Sequence, residues 1–214
     1  MPVNNVTVGD LQRSPELFHE FAAALDDGGL VCIPCGGAYR LLADLGNEGA
    51  VLGLLQSKRR TMNKPSLVFI DCAERLSAVA AEIDPVTQRL TERFWPGHLT
   101  CLVEPHPDLP AKVRGLVARA NKRIGVRVPD DPIVLGLLRA FGRPVLASSA
   151  NRERKPGADS RVQVRKNFGT IRWFVDGGDL KPGPRSTVVS VEGGEARVSR
   201  PGDVSWEEIE AALA

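Results

Sequence analysis

Three short segments, far apart in the chain, combine cationic side chains with small hydrogen-bonding groups. They are Lys58-Arg59-Arg60, Ser148-Ser149-Ala150-Asn151 and Arg200-Pro201-Gly202. Arginine supplies planar, paired donors, lysine supplies a point charge, and serine and asparagine place single hydrogen bonds. Groups of these types bind the phosphates and ribose of a nucleoside triphosphate. We therefore treat the three segments as candidate parts of one nucleotide site.

Each candidate segment also has an ordinary structural interpretation. Cations at 58–60 suit the carboxyl end of a helix, where they complement the helix dipole. The residues at 148–151 suit a helix cap or an Asx turn, and those at 200–202 suit a turn. Arg127 lies within an apolar strand, so it is either buried beside an anion or turned to solvent by strand alternation. The residues alone leave these alternatives open.

Metal and redox chemistry receive little support from the cysteines and histidines. The residues concerned are Cys32, Cys35, Cys72, Cys101, His19, His98 and His106. A zinc site needs a second ligand pair at similar spacing, and a redox pair begins a helix, whereas Cys32-x-x-Cys35 ends an apolar strand. We predict reduced thiols in or near the core and structural or exposed histidines. The sequence contains neither a Walker loop nor a glycine-rich dinucleotide turn.

Composition narrows the class of protein. The chain has 214 residues, of which 43% are hydrophobic, and a formal net charge of +2. This size suits one compact domain, and the charge does not suggest a globally basic nucleic-acid binder. No apolar run is long enough to span a membrane, and the acidic residues among the first thirty are unlike a signal peptide. A cytoplasmic location is the expectation.

Alternating helices and strands are predicted to position the candidate residues. The predicted helices are 8–28, 48–56, 73–81, 85–94, 132–141 and 204–213. The predicted strands are 30–33, 66–70, 99–103, 124–128, 145–148, 172–175, 186–191 and 196–199. This order predicts an α/β fold with an open, twisted, mixed sheet and helices on its faces. The polar residues 151–160 are predicted to form a mobile loop.

Eight markers in a fixed order resemble the YrdC-like family of threonylcarbamoyl-AMP synthases, over residues 15 to 205. They are Gly28-Gly29-Leu30-Val31 with Pro34 and Tyr39, Lys58-x-Arg60, Phe94-Trp95-Pro96-Gly97-His98-Leu99-Thr100, Val126-Arg127-Val128-Pro129, Ser149-Ala150-Asn151, Asp176-Gly177-Gly178, Ser186-Thr187-Val188-Val189 and Arg200-Pro201-Gly202.

The resemblance implies a fold and an activity. The expected fold is one YrdC-like domain over residues 1–214, the short form of the family, with a large, concave, positive cavity. The expected enzyme is a nucleotidyltransferase that joins L-threonine, bicarbonate and ATP into threonylcarbamoyl-AMP and pyrophosphate. The product feeds N6-threonylcarbamoyladenosine formation in tRNA, so contacts with RNA or tRNA-modification proteins are implied, and Mg²⁺ is expected on the phosphates.

The resemblance also implies roles for individual residues in the nucleotide half of the site. Lys58 and Arg60 match the pair that contacts the ATP phosphates, and we take them as the catalytic cations. Ser149 and Asn151 match a nucleotide-binding pair, and Arg200 matches a cation on the phosphate side.

In the other half of the site, the resemblance implies roles in substrate binding. Arg127 and Ser186 match positions that hold threonine or carboxylate groups. Tyr39 belongs to the first substrate segment.

That first substrate segment departs from the family pattern. Relatives usually carry Pro-Thr-Glu-Thr-x-Tyr-Gly-Leu, whereas this chain has Cys35 and Gly37 for the threonines, Gly36 for the acid and Arg40 for the glycine. Each lost hydroxyl removes a hydrogen bond worth about 1 kcal/mol. The added cation suits a more acidic substrate.

Three hypotheses follow from the sequence. The chain is a threonylcarbamoyl-AMP synthase, or a relative that uses another amine or carbamoyl donor, or a non-catalytic RNA-binding module. A small number of aromatic residues argues against the third, because single-strand binders need stacking platforms.

Overall fold

The computed structural model describes residues 4–58, 66–118, 122–151 and 157–214. Arg59 and Arg60 lie outside the described residues, as do residues 152–156 of the predicted loop. Predictions that concern them therefore stay predictions.

Ten strands in the described residues form a single sheet. The strands are β1 Asn4–Thr7, β2 Val31–Cys35, β3 Ala38–Asp44, β4 Leu67–Phe69, β5 Leu99–Val103, β6 Ile124–Arg127, β7 Val145–Ser149, β8 Trp173–Asp176, β9 Thr187–Glu192 and β10 Glu195–Arg200. The helices are α1 Val8–Arg13, α2 Leu17–Asp26, α3 Glu48–Ser57, α4 Pro85–Phe94, α5 Ala111–Val117, α6 Pro132–Phe141, α7 Arg161–Phe168 and α8 Trp206–Leu213, with a 3-10 helix at Ala73–Ala78.

The sheet is mixed, as predicted. Its strand order is β1-β8-β2-β3-β7-β4-β6-β5-β9-β10. Pairing is parallel between β1 and β8, β2 and β8, β4 and β6, and β5 and β9, and antiparallel at the other five junctions. The predicted α/β fold with an open mixed sheet and helices is confirmed.

Two helices that flank the candidate residues have clear start signals. Asn47 caps α3 by accepting a hydrogen bond from the Ala50 amide, and α3 ends directly before Lys58. Asp131 caps α6 by accepting from two amides, Pro132 opens the helix, and Gly142 closes it with a φ of 71°. Proline at the first position and glycine beyond the last are the residues these positions favour.

Three predicted boundaries were wrong. The predicted helix 73–81 is a 3-10 helix that ends at Ala78, and Ala80 forms a β-bridge with Pro105. The predicted helix 8–28 is two helices, α1 and α2, because the chain turns at Ser14 and Pro15. The predicted strand 30–33 was expected to stop at Pro34, but β2 continues to Cys35. Strand β8 pairs with β2 only at Val31 and Cys32, so a missing N–H at position 34 breaks no ladder hydrogen bond on that side.

Strand β3 was missed, along with β1, α5 and α7. Gly36 and Gly37 form the two-residue turn between β2 and β3, with φ values of 58° and 77°. Such values favour glycine, and a Gly-Gly pair between apolar runs is a hairpin signal. The omission matters because β3 carries Tyr39 and Arg40.

The thiols are free, and Cys32, Cys35 and Cys101 are buried in the core, as predicted. Cys72 is partly exposed. None of the helices in the described ranges combines the length and apolar character needed to cross a bilayer.

Candidate active site

Strand register places three candidate residues on one face of the sheet. Directly opposed residues share a face, as do residues two or four apart along a strand. Arg40 opposes Ser149, and Phe69 opposes both Val145 and Arg127. Since Val145 and Ser149 lie on the same side of β7, the side chains of Arg40, Ser149 and Arg127 share a face.

Two of the three candidate segments meet through Lys58. Its side chain is largely buried, with 5% of the residue exposed. The Lys58 ammonium donates to the Ser149 carbonyl oxygen and, over 3.3 Å, to Oδ1 of Asn151. The Ser149 hydroxyl donates to the same Oδ1 over 2.6 Å. The end of α3 and the turn after β7 are thereby joined, as one nucleotide site requires.

Tyr39 is placed as a structural support for this turn. The Ala150 amide donates to the Tyr39 carbonyl over 2.7 Å, and the Tyr39 amide donates to the Ala158 carbonyl over 2.8 Å. The buried Tyr39 hydroxyl donates to the Gly178 carbonyl over 2.8 Å and accepts from the Gly177 amide over 3.0 Å. Burial raises the pKa of Tyr39 to about 12. Its hydroxyl serves contacts within the protein, and its predicted contact with substrate stays a prediction.

Arg127 is buried, so the solvent-facing alternative was wrong. Only 4% of its side chain is exposed. Its Nε donates to the Gly97 carbonyl over 2.5 Å, and its Nη2 donates to Oδ1 of Asp130 over 2.9 Å. Burial lowers the pKa of Arg127, and the Asp130 charge opposes that shift. Strand alternation turns this side chain towards a covered face of the sheet.

Arg200, Ser186 and Thr100 form a second cluster. Nη2 of Arg200 donates to the Ser186 carbonyl over 2.8 Å and to the Ser186 hydroxyl over 3.1 Å. The Thr100 hydroxyl donates to the Ser186 hydroxyl over 2.9 Å. Burial lowers the pKa of Arg200, and the charges of Arg185 and Arg40 act in the same direction.

Gly202 is needed where the Arg-Pro-Gly segment passes close to the start of β9. A Cβ atom at this position would lie 2.4 Å from the Arg185 carbonyl oxygen and from the Thr187 amide nitrogen. The backbone can approach only because glycine has no side chain. This approach holds Arg200 against Ser186.

His98 is a residue whose position the sequence did not reveal. Its Nδ1 lies 2.7 Å from Oδ2 of Asp203, and its Nε2 lies 3.4 Å from the Asp130 oxygen that also binds Arg127. The ring therefore links the segment after β6 with the turn after β10. Its place in the Phe94–Thr100 marker was the available signal.

The described residues test the metal and cavity predictions only in part. Within 4–58, 66–118, 122–151 and 157–214, no group of three or more His, Cys, Asp or Glu side chains is arranged to hold a metal ion. A pocket of about 400 Å³ lies beside Val198 and Trp206, and its lining includes Pro201 and Gly202 of the third candidate segment. The predicted positive cavity over the face that Arg40, Ser149 and Arg127 share stays a prediction. Residues 59–65 and 152–156, which follow Lys58 and Asn151 in the sequence, lie outside the described residues.

Comparison with known proteins decides the family. A model of the Sua5/YciO/YrdC family, described as "Telomere recombination", matches residues 23–202. The chain belongs to the Sua5/YciO/YrdC family.

Relatives in this family carry an informative name. The Sua5/YciO/YrdC chain is 33% identical over 193 residues to a threonylcarbamoyl-AMP synthase of Pyrococcus abyssi, covering 90% of this chain and 56% of that protein. It is 33% identical over 207 residues to a threonylcarbamoyl-AMP synthase of Bacillus subtilis, covering 95% and 58%. The chain therefore spans somewhat more than half the length of these relatives.

A solved relative has the same fold. The crystal structure of P. abyssi Sua5 complexed with L-threonine superposes with a TM-score of 0.82 at 31% identity, covering 93% of this chain and 58% of that one. The resemblance to the YrdC-like family is thereby confirmed.

Proposed function

We propose that this Sua5/YciO/YrdC-family chain makes threonylcarbamoyl-AMP and pyrophosphate from L-threonine, bicarbonate and ATP. The observation that carries the proposal is the convergence of Lys58 with Ser149 and Asn151. Arg127 lies on the same face of the sheet as Ser149. The names of the two relatives support threonylcarbamoyl-AMP as the product.

The chemistry explains why cations would dominate such a site. Carboxylation of the amine gives a carbamate, and this anion must attack the α-phosphorus of an anionic triphosphate. Fixed positive charges reduce the repulsion between the carbamate and the triphosphate, and they stabilise the charge that develops as the adenylyl group is transferred. Lys58 and Arg200, with Arg60, are the proposed phosphate contacts. Ser149 and Asn151 are the proposed nucleotide contacts.

Arg127 and Ser186 are the proposed contacts for the substrate carboxylate. Tyr39 would contribute to substrate binding by holding the turn at Gly177 and Gly178, with which its hydroxyl forms hydrogen bonds. Positioning and charge would do most of the catalysis, because the described residues of the site offer no group dedicated to proton transfer.

Mg²⁺ is part of the proposal as an ion that arrives with the nucleotide. Magnesium prefers few protein ligands, phosphate oxygens and retained water. The donor set fits this use, because it consists of cations, hydroxyls and an amide, and the Ser149 hydroxyl is the group that could add a neutral ligand. The ion would neutralise phosphate charge.

The setting of the reaction is also proposed. Residues 1–214 would act as one domain, which is supported by the joining of ten strands in one sheet. We place it in the cytoplasm, where the product would pass to tRNA-modification proteins.

A second candidate function is the same chemistry with another amine. It is favoured by Arg40, which adds a cation to the shared face, and by Cys35 and Gly37 in place of hydroxyl residues.

One assay tests both candidates. Pyrophosphate release is measured with ATP, bicarbonate and a panel of amino acids. Release that depends on L-threonine and bicarbonate supports the first candidate, and release with a different amine supports the second. If no amino acid gives release above the ATP-only blank, the proposed enzyme activity is wrong.

A further inference from the structure

Arg40 occupies the middle of the candidate site. It lies on β3 directly opposite Ser149, whose carbonyl binds Lys58. Its guanidinium carbon lies 5.7 Å from the centre of the Phe69 ring, and Phe69 opposes Arg127 in the sheet. The side chain therefore extends from the nucleotide candidates towards the buried Arg127.

Arg40 has no counter-charge in the described part of the chain. The ion pairs found there involve other arginines, and its Nε is buried without a hydrogen-bond partner. An unpaired polar atom in a buried position destabilises the fold because it has lost its contact with water. Its neighbour Cys35 is 2% exposed, and burial raises the pKa of that thiol, so it remains neutral.

The Arg40 charge reaches both guanidinium clusters. It lowers the pKa of Arg127 and also that of Arg200. Asp130 pairs with Arg127 and Asp131 also interacts with it electrostatically, whereas the hydrogen bonds of Arg200 go to neutral oxygens of Ser186. The positive charge around Arg40 therefore exceeds the negative charge, and a bound anion would relieve the repulsion.

We propose that Arg40 binds a planar, carboxylate-type anion between the nucleotide contacts and Arg127. The proposal rests on the proposed function. Two sources supply this chemistry: the bicarbonate that becomes the carbamate, or a side-chain carboxylate on an acidic amine substrate. A guanidinium suits either, because its parallel N–H groups match the two oxygens of such an anion.

The bicarbonate source places Arg40 at the reacting atoms. The amine nitrogen attacks the bicarbonate carbon, a C–N bond forms, and one C–O bond breaks as the hydroxyl leaves with a proton as water. The carbamate oxygen then attacks the α-phosphorus, and the bond to the β-phosphate bridging oxygen breaks to release pyrophosphate. Arg40 would hold the anion through both steps and lower its repulsion from the triphosphate.

The experiment uses three variants of the full chain. Arg40→Met removes the charge while keeping the stem, Arg40→Lys keeps a charge without the planar fork, and Arg139→Met is the matched control. Arg139 is exposed in the last turn of α6, at the opposite end of that helix from Asp131. Thermal unfolding of each variant checks that it is folded.

The first arm measures binding of ¹³C-labelled bicarbonate by carbon NMR and the KM for bicarbonate in carbon-dioxide-depleted buffer. If the anion is bicarbonate, Arg40→Met weakens bicarbonate binding and raises the KM for bicarbonate, each by about 10- to 100-fold, as expected for a hydrogen-bonded charge. The KM for ATP stays unchanged. Arg40→Lys recovers part of the loss, and Arg139→Met shows none.

The second arm compares calorimetric binding of aspartate with asparagine and of glutamate with glutamine. If the anion is a side-chain carboxylate, the wild type prefers the acid by about 10-fold or more, and Arg40→Met removes the preference. Each amide has the shape of its acid, so the comparison isolates the charge.

The proposal is overturned if Arg40→Met changes neither bicarbonate binding nor the acid preference, or if it weakens only ATP binding. Those results would leave the proposed enzyme standing, provided that wild-type protein releases pyrophosphate. The NMR and calorimetric measurements, unlike the KM, need no turnover, so absence of release with every amine would count against the proposed function alone.

Discussion

The Lys58 ammonium donates a hydrogen bond to Oδ1 of Asn151 over 3.3 Å, across 93 positions of sequence. The contact joins the end of α3 to the turn after β7. A buried lysine needs oxygen acceptors, and here they come from the segment predicted to bind nucleotide. These contacts hold the ammonium beside that segment, and such preorganisation lowers the cost of binding phosphate.

Replacement of Lys58 with methionine should weaken nucleotide binding. A hydrogen-bonded charge contributes about 1.5–3 kcal/mol, so the Kd for a non-hydrolysable ATP analogue should rise about 10- to 100-fold. Isothermal calorimetry measures the change. Lys112→Met is the control, because Lys112 is exposed and pairs with Glu48 on the surface. Equal affinity of the two variants would show that Lys58 does not contact the nucleotide.

Thr100 and Ser186 should be energetically coupled. Their hydroxyls are 2.9 Å apart and buried. Neighbours in one hydrogen-bond network deviate from additivity, so a cycle of Thr100→Val and Ser186→Ala should give a coupling of about 0.5–1.5 kcal/mol in the free energy of unfolding. Urea titrations of the two single variants, the double variant and the wild type measure it.

Ligand binding adds a second measurement to this cycle. Ser186→Ala should weaken L-threonine binding more than Thr100→Val does, because Thr100 acts through Ser186. Additive unfolding energies together with equal ligand affinities would contradict the assignment of Ser186 as the contact residue.

Tyr39→Phe should destabilise the fold. The change removes a hydroxyl that donates to Gly178 and accepts from Gly177, and leaves both backbone groups without that partner. The expected loss is about 1–3 kcal/mol in the free energy of unfolding, measured with guanidinium chloride. If Tyr39 acts as a support, L-threonine affinity falls only modestly in the variant. A large loss of affinity without loss of stability would instead indicate direct contact with substrate.

The protein should lose stability in alkaline solution. Burial raises the pKa of Cys101 from 9.0 to about 12, and it raises the pKa of Cys32 and Cys35 as well. The thiols of the unfolded chain lose their protons at a lower pH than those of the folded protein. Their contribution to the free energy of unfolding is therefore fully present below pH 9 and is lost as the pH rises towards 12. Each thiol contributes a slope of up to about 1.4 kcal/mol per pH unit.

Guanidinium unfolding at several values between about pH 8 and pH 11 measures this slope. Cys101→Ala should make it shallower. Val103→Ala, which removes buried volume from the same strand without a titrating group, should lower stability equally at every pH. An unchanged slope in Cys101→Ala would show that this thiol does not titrate as its burial requires.

Many elements were predictable because their signals are local. Helices α4 and α6 and strand β5 have the predicted bounds, since proline, glycine and apolar periodicity mark their ends within a few residues. The helix at 8–28 failed because a regular apolar stripe concealed a turn at Ser14 and Pro15. Strand β3 failed although the Gly36-Gly37 turn was available as a signal.

The candidate residues were predictable as types and not as contacts. Lys58, Ser149, Asn151, Arg127, Ser186 and Arg200 were all selected from the sequence. The burial of Arg127 was not predictable, because strand alternation is equally compatible with a solvent-facing side chain until the neighbouring layers are known. The role of His98 between two carboxylates depends on Asp130 and Asp203, which lie in different segments.

The sequence by itself determined the family, the mixed α/β class and the identity of the cationic and hydroxyl residues, because ordered markers and local periodicity are properties of the chain. Only the tertiary structure decided that Lys58 binds the Ser149 turn, that Arg200 is held by Ser186, and that Arg40 lies between them with no carboxylate partner among the described residues. Strand order and register set those distances, and they arise from pairing between segments that the sequence separates.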